Sequence, residues 1–243
     1  MTENSNSSES DRLRAQNTEL ATLAGGLAHE IRNPLSTILM NLELLAEDVE
    51  EIESAVSHRL LKRVNRVQRE CGNLETILNE FLQFARAGEP VLEEVSLNDL
   101  VQEFLTFIEA QAVEAAVELR PHLDANLPTV KVDQALIRQV LANLARNAIQ
   151  AMPSGGTLEF LTSVAEGEIL LQVIDSGDGM NEKTVSKMFQ AFFSTRSDGS
   201  GLGLPTVRRI IDAHGGRISC ESEPGQGTRF TIHLPSPVAA STA

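Results

Sequence analysis

Two stretches in the N-terminal part of the chain carry apolar residues at alternating steps of four and three. The first set is Ala24, Ala28, Ile31, Leu35, Ile38, Leu42, Leu45 and Val49. The second set is Leu60, Val64, Val67, Cys71, Leu74, Leu78, Phe81 and Ala85. This spacing is that of a coiled-coil seam, so the pattern predicts two long helices. The first helix is expected from Asp11 to about Val49, and the second after a bend within residues 50–57.

Two antiparallel helices with one apolar stripe each form only half of a four-helix core. We therefore expect two copies of the chain to pair as a homodimer with a four-helix bundle. The second helix is expected to end at Ala87-Gly88-Glu89-Pro90, because glycine releases the last helical turn and proline cannot continue it.

The pattern changes after Pro90, where shorter helical and strand-like segments alternate. Helices are expected after the capping residues Ser96 and Asp133 and over residues 202–214, and the second of these should run to about Met152. Alternating apolar residues predict strands at 117–119, 129–132, 157–164, 168–174, 217–221 and 228–234. The predicted fold class is α+β, with an N-terminal antiparallel helical hairpin followed by an α/β sandwich on a mostly antiparallel sheet.

These changes of pattern divide the chain into five segments. We expect a disordered tail at 1–10, a helical hairpin at 11–88, a linker at 89–95, the α/β domain at 96–235 and a second tail at 236–243.

Charge and composition restrict the partners. The net charge of −14 and the isoelectric point near 4.8 argue against a protein that nucleic acid or anionic lipid holds by electrostatics. No apolar run approaches the roughly 20 residues that span a bilayer, and the first residues lack the apolar core of a signal peptide. We therefore expect a cytoplasmic protein without membrane insertion. Cys71 and Cys220 lack metal-ligand spacing and are expected as buried thiols.

One histidine stands beside the first apolar seam, in Ala28-His29-Glu30-Ile31-Arg32-Asn33-Pro34-Leu35. Asn33 follows His29 by four residues and so shares its exposed helix face, with Glu30 adjacent. Pro34 removes a backbone N–H and is expected to bend or loosen the helix just after the histidine. A solvated histidine on a coiled coil is the alternative interpretation of His29.

A polar row lies along the helix that begins at Asp133. Its members are Gln139, Asn143, Asn147 and Gln150, which share one helix face. A solvated face would give the same row. Asparagine is a poor helix former, however, so two of them at this spacing suggest a use for their amides. A carboxamide oxygen is a hard ligand that can complete the shell of a Mg²⁺ ion shared with phosphates and water.

Two glycine-rich stretches follow this row. Asp175-Ser176-Gly177-Asp178-Gly179-Met180 stands at a strand end, where Asp175 can accept a hydrogen bond from an exocyclic amine and the glycines let backbone approach a flat ring. Gly199-Ser200-Gly201-Leu202-Gly203-Leu204 opens a helix whose free N–H groups form an anion site. Turn chemistry explains the first stretch equally well, and a flexible hairpin explains the second. The second is neither a Walker A loop nor a dinucleotide fingerprint.

The order of these motifs is more specific than any one of them. The stretch around His29 resembles the histidine-containing box of bacterial two-component sensor histidine kinases. The later motifs together resemble the Bergerat-type ATP-binding fold. They are, in order, the asparagine row, Asp-x-Gly-x-Gly, the Phe-rich segment at 192–198, Gly-x-Gly-Leu-Gly and Gly225-Gln226-Gly227-Thr228. Histidine kinases share that fold with type II topoisomerase subunits, one heat-shock chaperone family and a mismatch-repair family. The resemblance covers about residues 20–235, and its spelling at 24–29 and 147–153 is similar to the nitrogen-regulation sensor branch.

The resemblance implies a role for each motif residue. It makes His29 the phosphorylated residue and Asn147 the Mg²⁺ ligand, with Asn143 beside it. Asp175 would bind the adenine base, in a pocket shaped by Gly177 and Gly179 and bordered by Thr228. Gly201 and Gly203 would face the phosphates. Gln150 stands where many relatives have a phosphate-contacting lysine, Ala191 replaces a common proline and Arg196 replaces a common lysine. Phosphate charge would then rest more on Mg²⁺ and Arg196.

These expectations combine into a homodimeric protein-histidine kinase. Its hairpin would serve dimerisation and phosphotransfer, and residues 96–235 would bind ATP. The γ-phosphoryl group would pass from ATP to His29 and then to an aspartate of a response regulator, with Glu30 as the base. Asn33 could orient water against a phospho-aspartate and so add a phosphatase activity. A dimeric phosphotransfer scaffold with weak nucleotide binding, and an ATP-driven clamp, stay open as alternatives.

Overall fold

The structure of the chain is a computed structural model, and it describes residues 31–49, 52, 55–86, 90–196 and 199–236. Contacts divide the chain into two compact units, Met1–Gly88 and Glu89–Ala243. The predicted site residues His29 and Glu30 lie outside the described residues, as do the predicted tails apart from Ser236.

The first unit contains the two predicted helices. Helix α1 is described over residues 31–49, and helix α2 spans Ala55–Arg86. The start of α2 lies inside the window predicted for the bend. Arg32 Nη2 donates a hydrogen bond of 2.8 Å to Asn79 Oδ1, which joins the described start of α1 to the second half of α2. The helices therefore form the antiparallel hairpin that their apolar stripes predicted.

The apolar seam of the hairpin divides into two sets. One set is buried and contains Leu35, Val49, Val64, Cys71 and Ala85. The positions between them, which we call the open seam, are 40% to 55% exposed and comprise Ile31, Ile38, Leu45, Leu60, Val67 and Leu74. The two sets correspond to the two apolar positions of a heptad. Leu42 and Leu78 of the first row and Phe81 of the second row are half-buried. The hairpin thus covers the first row and, except at Phe81, leaves the second row uncovered.

The second unit combines helices with two sheets. Its elements are β1 (Glu93–Val95), α3 (Leu97–Glu114), β2 (Val117–Leu123), β3 (Val130–Val132), α4 (Gln134–Gln150), β4 (Gly156–Ala165), β5 (Glu168–Asp175), α5 (Glu182–Val185), α6 (Gly203–Ala213), β6 (Arg217–Glu223) and β7 (Gly227–Pro235). Both predicted caps are confirmed, because Ser96 Oγ accepts from the N–H of Asp99 at 3.2 Å and Asp133 Oδ1 accepts from the N–H of Leu136 at 3.1 Å.

The larger sheet has the strand order β2-β4-β5-β7-β6, and β1 pairs with β3 separately. Strands β2 and β4 are parallel, and the other pairs of the larger sheet are antiparallel. Every second residue of β5 is buried, as a sheet with one covered face requires. Helices α3, α4 and α6 contact the sheet and bury apolar residues of their own. The fold is therefore a helical hairpin followed by an α/β sandwich, as predicted.

Some predictions of the sequence need correction. Strand β2 runs to Leu123 instead of Leu119 and passes through Pro121. It is an edge strand that pairs with β4 alone, where proline can stand without removing a ladder hydrogen bond. The short helix α5 was not predicted. Both cysteines are free, but Cys220 is only half-buried, and burial raises the pKa of its thiol to about 12.

Candidate functional site

Asp175 ends β5 in the middle of the larger sheet. The residue is only 7% exposed, and its Oδ1 accepts a hydrogen bond of 2.9 Å from the N–H of Gly177. Burial raises the pKa of the Asp175 carboxyl, while backbone N–H groups of Gly177 and Thr228 act in the opposite direction. The carboxylate is thus largely removed from solvent and fixed by its own loop and by the start of β7.

The loop after Asp175 packs backbone against backbone. A Cβ atom on Gly179, whose φ is +64°, would lie 2.0 Å from the carbonyl oxygen of Glu223. A Cβ on Gly227, whose φ is +82°, would lie 2.0 Å from the carbonyl oxygen of Asp175, and a Cβ on Gly177 would lie 2.6 Å from that of Ala151. These contacts hold the loop between the end of α4 and the β6–β7 turn, so the Asp-x-Gly-x-Gly glycines are required by close packing.

The asparagine row of α4 faces the start of α6. Asn143 is 9% exposed and its Nδ2 donates a long hydrogen bond of 3.4 Å to the carbonyl of Gly203. Asn147 lies one turn further and is half-buried, whereas Gln150 is exposed. A fully solvated helix face does not describe this row, because Asn143 is buried against another element.

Helix α6 begins without a side-chain cap. Its N-cap residue is Leu202, and its third residue is Pro205, which has no N–H to leave unsatisfied. The preceding Gly201 has a φ of +69°, and a Cβ there would lie 2.6 Å from the backbone nitrogen of Phe193. The N–H of Phe192 donates to the carbonyl of Gly201 at 3.0 Å. The glycine-rich stretch thus folds onto the Phe-rich segment and leaves backbone N–H groups at the helix start for an anion.

Arg196 places a cation at the C-terminal end of α4. Its Nη1 donates a hydrogen bond of 3.1 Å to the carbonyl of Gln150, and the side chain is exposed. The structure therefore brings Arg196 to Gln150, Asn143 to Gly203, and Asp175 to Gly177 and Thr228. The sequence predicted all seven residues as parts of one site.

Asn33, the predicted site residue four positions after His29, is exposed on α1. Its backbone carbonyl accepts a hydrogen bond of 3.1 Å from the hydroxyl of Thr37.

Two polar residues near these elements were missed by sequence reasoning. Ser222 of β6 accepts a hydrogen bond from the N–H of Met180 at 2.8 Å and donates one to the carbonyl of Gly227 at 2.9 Å. His214, at the end of α6, accepts from the N–H of Asp133 at 2.9 Å, and its Nδ1 lies 2.7 Å from the carbonyl of Ile210. A serine in a strand carries no local signal, and the partner of His214 is distant in the sequence.

Among the residues that the structure describes, no three histidine, cysteine, aspartate or glutamate side chains are grouped closely enough to hold a metal ion. None of the described helices combines the length and the apolar character needed to cross a bilayer.

Two family models match the chain, and they divide it near the boundary between the two units. Residues 19–90 match the His Kinase A (phospho-acceptor) domain. Residues 132–238 match the family described as histidine kinase-, DNA gyrase B- and HSP90-like ATPase.

The chain is similar to the signal transduction histidine-protein kinase AtoS of Escherichia coli, with 34% identity over 232 residues. That alignment covers 93% of this chain and 37% of AtoS, so the chain spans little more than a third of that relative.

The chain is also similar to solved structures of histidine kinases. Full-length ShkA in complex with AMPPNP superimposes with a TM-score of 0.70 at 28% identity, covering 89% of this chain and 46% of ShkA. Histidine kinase ThkA in complex with the response regulator TrrA gives a TM-score of 0.68 at 29% identity, covering 95% of this chain and 66% of ThkA. The ThkA catalytic domain alone gives 0.54 at 31% identity, covering 60% of this chain and 95% of that domain.

Proposed function

The chain belongs to the sensor histidine kinases of two-component systems, and we propose that it transfers the γ-phosphoryl group of ATP to His29 and then to an aspartate of a response regulator. The proposal rests above all on the buried Asp175, which two backbone N–H groups fix within the residues that match the ATPase family. In the same chain, His29 lies within the match to the phospho-acceptor domain.

We assign the nucleotide site to the second unit. Asp175 offers carboxylate oxygens that accept a hydrogen bond from the exocyclic amine of adenine, and Gly177, Gly179 and Thr228 border the base. The triphosphate lies at the start of α6, where Gly201 and Gly203 allow close approach and the helix N-terminus favours negative charge. Arg196 contributes a cation from the Phe-rich segment. The complex of ShkA with AMPPNP supports an ATP analogue as a ligand of this fold.

We further assign a Mg²⁺ site to Asn147, with Asn143 beside it and Gln150 at the end of the same row. Carboxamide oxygens are hard ligands, and the position of Asn143 against Gly203 puts the row next to the proposed phosphate site. One or two neutral oxygens hold such an ion only together with phosphate oxygens and water. Mg²⁺ would supply charge neutralisation on the phosphates during transfer.

The transfer uses a neutral imidazole as the nucleophile. A His29 ring nitrogen forms the bond to the γ-phosphorus, the bond to the bridging oxygen breaks, and ADP leaves with that electron pair. Glu30 accepts or orients the proton on the other ring nitrogen. Asn33, on the exposed side of α1, would orient water against the phospho-aspartate of the regulator and so give a phosphatase activity.

We propose a homodimer through the open seam. Its six apolar residues per chain need a cover, and a second hairpin with the same pitch provides one. The response regulator would dock on the outer helix faces near His29, as a kinase–regulator pair exists for ThkA and TrrA. The proposed domain assignment keeps dimerisation and phosphotransfer at 11–88 and ATP binding at 96–235, and we place the activity in the cytoplasm.

Incubation with γ-labelled ATP and Mg²⁺ tests this function. The wild-type chain should acquire acid-labile phosphate, and His29→Gln should acquire none. His58→Gln is a matched control, because His58 is an exposed histidine of α2 and should remain dispensable. Labelling that survives in His29→Gln would contradict the assignment of the phosphorylated residue.

A dimeric phosphotransfer scaffold is the second candidate. It is favoured by the contact of Arg196 with the Gln150 carbonyl, since a cation engaged in this way is less available to phosphates. The scaffold predicts that the wild-type chain binds no nucleotide at all, yet accepts phosphate on His29 from a phosphorylated regulator.

A further inference from the structure

Three side chains form a row across the strands at the proposed base pocket. Asp175 on β5 stands opposite Thr228 on β7, and Thr228 stands opposite Ser222 on β6. Directly paired residues of antiparallel strands project from the same face of the sheet, with their Cβ atoms about 5 Å apart. Asp175 and Thr228 are buried, at 7% and 6% exposure, and Ser222 is half-buried. The hydroxyl groups of Thr228 and Ser222 thus lie in a row with the carboxylate of Asp175, which is the proposed ligand of the base.

The hydrogen bonds of Ser222 use its full capacity. A hydroxyl has one proton and two acceptor lone pairs. Ser222 Oγ donates to the carbonyl of Gly227 at 2.9 Å, and a carbonyl cannot donate in return. The same oxygen accepts from the N–H of Met180 at 2.8 Å. Its third neighbour, Thr228 Oγ1 at 3.0 Å, must therefore be the donor of the bond between the two hydroxyls.

The direction of this bond determines what Thr228 can offer a ligand. Because its single proton is directed at Ser222, the Thr228 hydroxyl keeps only acceptor lone pairs on its other side. The neighbouring Asp175 carboxylate is also an acceptor. Both members of the row that border the proposed base pocket then favour a hydrogen-bond donor, and a carbonyl oxygen placed there would meet acceptors only.

We propose that Ser222 is a positioning residue that fixes the polarity of the Thr228 hydroxyl and so makes the site select a purine with an amine at C6 over one with a carbonyl oxygen. Without the Ser222 hydroxyl, Thr228 can turn its own proton toward the ligand and donate to such an oxygen. Discrimination would fall for this reason even though Ser222 itself does not touch the base. This inference rests on the proposed nucleotide site.

The test compares ATP with inosine triphosphate, which differs by having a carbonyl oxygen in place of the amine. Dissociation constants for both are measured by calorimetric titration with Mg²⁺ on the full chain. Ser222→Ala removes the hydroxyl. Ser222→Thr and Ser222→Val form a second pair of equal shape, of which only threonine keeps a hydroxyl. Ser219→Ala is the matched control, since Ser219 is exposed on the other face of β6.

The wild-type chain, Ser222→Thr and Ser219→Ala should prefer ATP to the same degree. Ser222→Ala and Ser222→Val should lose about fivefold or more of that preference, which is the value of one hydrogen bond. Equal weakening of both nucleotides would indicate a merely structural role and overturn the inference. An unchanged ratio in Ser222→Val relative to Ser222→Thr would overturn it too, even if Ser222→Ala failed to fold. A wild-type chain that binds neither nucleotide would instead refute the proposed function.

Discussion

Val67 provides a direct test of the uncovered row on the hairpin. It belongs to the open seam of α2 and is 46% exposed in the single chain. Complete burial of a valine contributes about 1.5 kcal/mol or more, so covering the exposed part of Val67 is worth roughly 1 kcal/mol. A two-fold interface contains the residue twice, which gives about 2 kcal/mol for the dimer. Val67→Glu removes this contribution.

The glutamates also bring two carboxylates into an apolar interface. Each costs several kcal/mol unless it finds a partner. Together with the lost burial, we expect Val67→Glu to weaken the dimer by about 5 kcal/mol or more, which exceeds a thousandfold in the dissociation constant. Sedimentation equilibrium measures this constant, and circular dichroism reports whether the helices persist.

Val164 supplies a control of equal exposure. It lies on β4 in the second unit and is also 46% exposed, so Val164→Glu makes the same chemical change outside the seam. We expect Val164→Glu to leave the dimer intact. A wild-type chain that sediments as a monomer, or a Val67→Glu variant that dimerises as tightly as Val164→Glu, would refute the assignment of the open seam to a second hairpin.

Three further predictions concern the second unit. His214→Phe leaves the N–H of Asp133 without its acceptor, so calorimetry should show a loss of about 1–3 kcal/mol in the free energy of unfolding, whereas His122→Phe at an exposed position should cost little. The raised pKa of Asp175 means that the folded chain holds this proton to higher pH than the unfolded chain does. Its contribution to stability therefore falls as pH rises from the unfolded to the folded pKa, and urea titrations of Asp175→Asn should lack that fall. Gly179→Ala should destabilise more than Gly225→Ala, because both have positive φ but only Gly179 would place a Cβ against backbone.

Local chemistry was sufficient to predict the helix starts. The side chains of Ser96 and Asp133 bond to N–H groups three residues ahead, and such a cap depends on neighbours alone. The end of β2 could not be predicted in this way, since Pro121 terminates an inner strand and is tolerated at an edge. Whether the strand ends at Pro121 or continues through it depends on its place in the strand order, and that order is a property of the whole sheet.

The motifs of the candidate site could be identified from the sequence, but the contacts between them could not. The spacing of Asn143 and Asn147 suggested a function for their amides, yet the bond from Asn143 to Gly203 joins residues 60 positions apart. The heptad pattern likewise placed Val64 and Val67 on the same seam. It could not separate Val64, which the hairpin buries, from Val67, which it leaves open, because both satisfy the same period.

The outer strands of the larger sheet also influence how copies of the chain meet. β2 carries Pro121 between exposed polar residues, and the exposed side of β6 carries Arg217, Ser219, Glu221 and Glu223. Proline and charged side chains on unpaired edges discourage strand addition by a neighbouring molecule. Both free edges of the larger sheet therefore resist the fibrous aggregation that begins by strand addition between molecules.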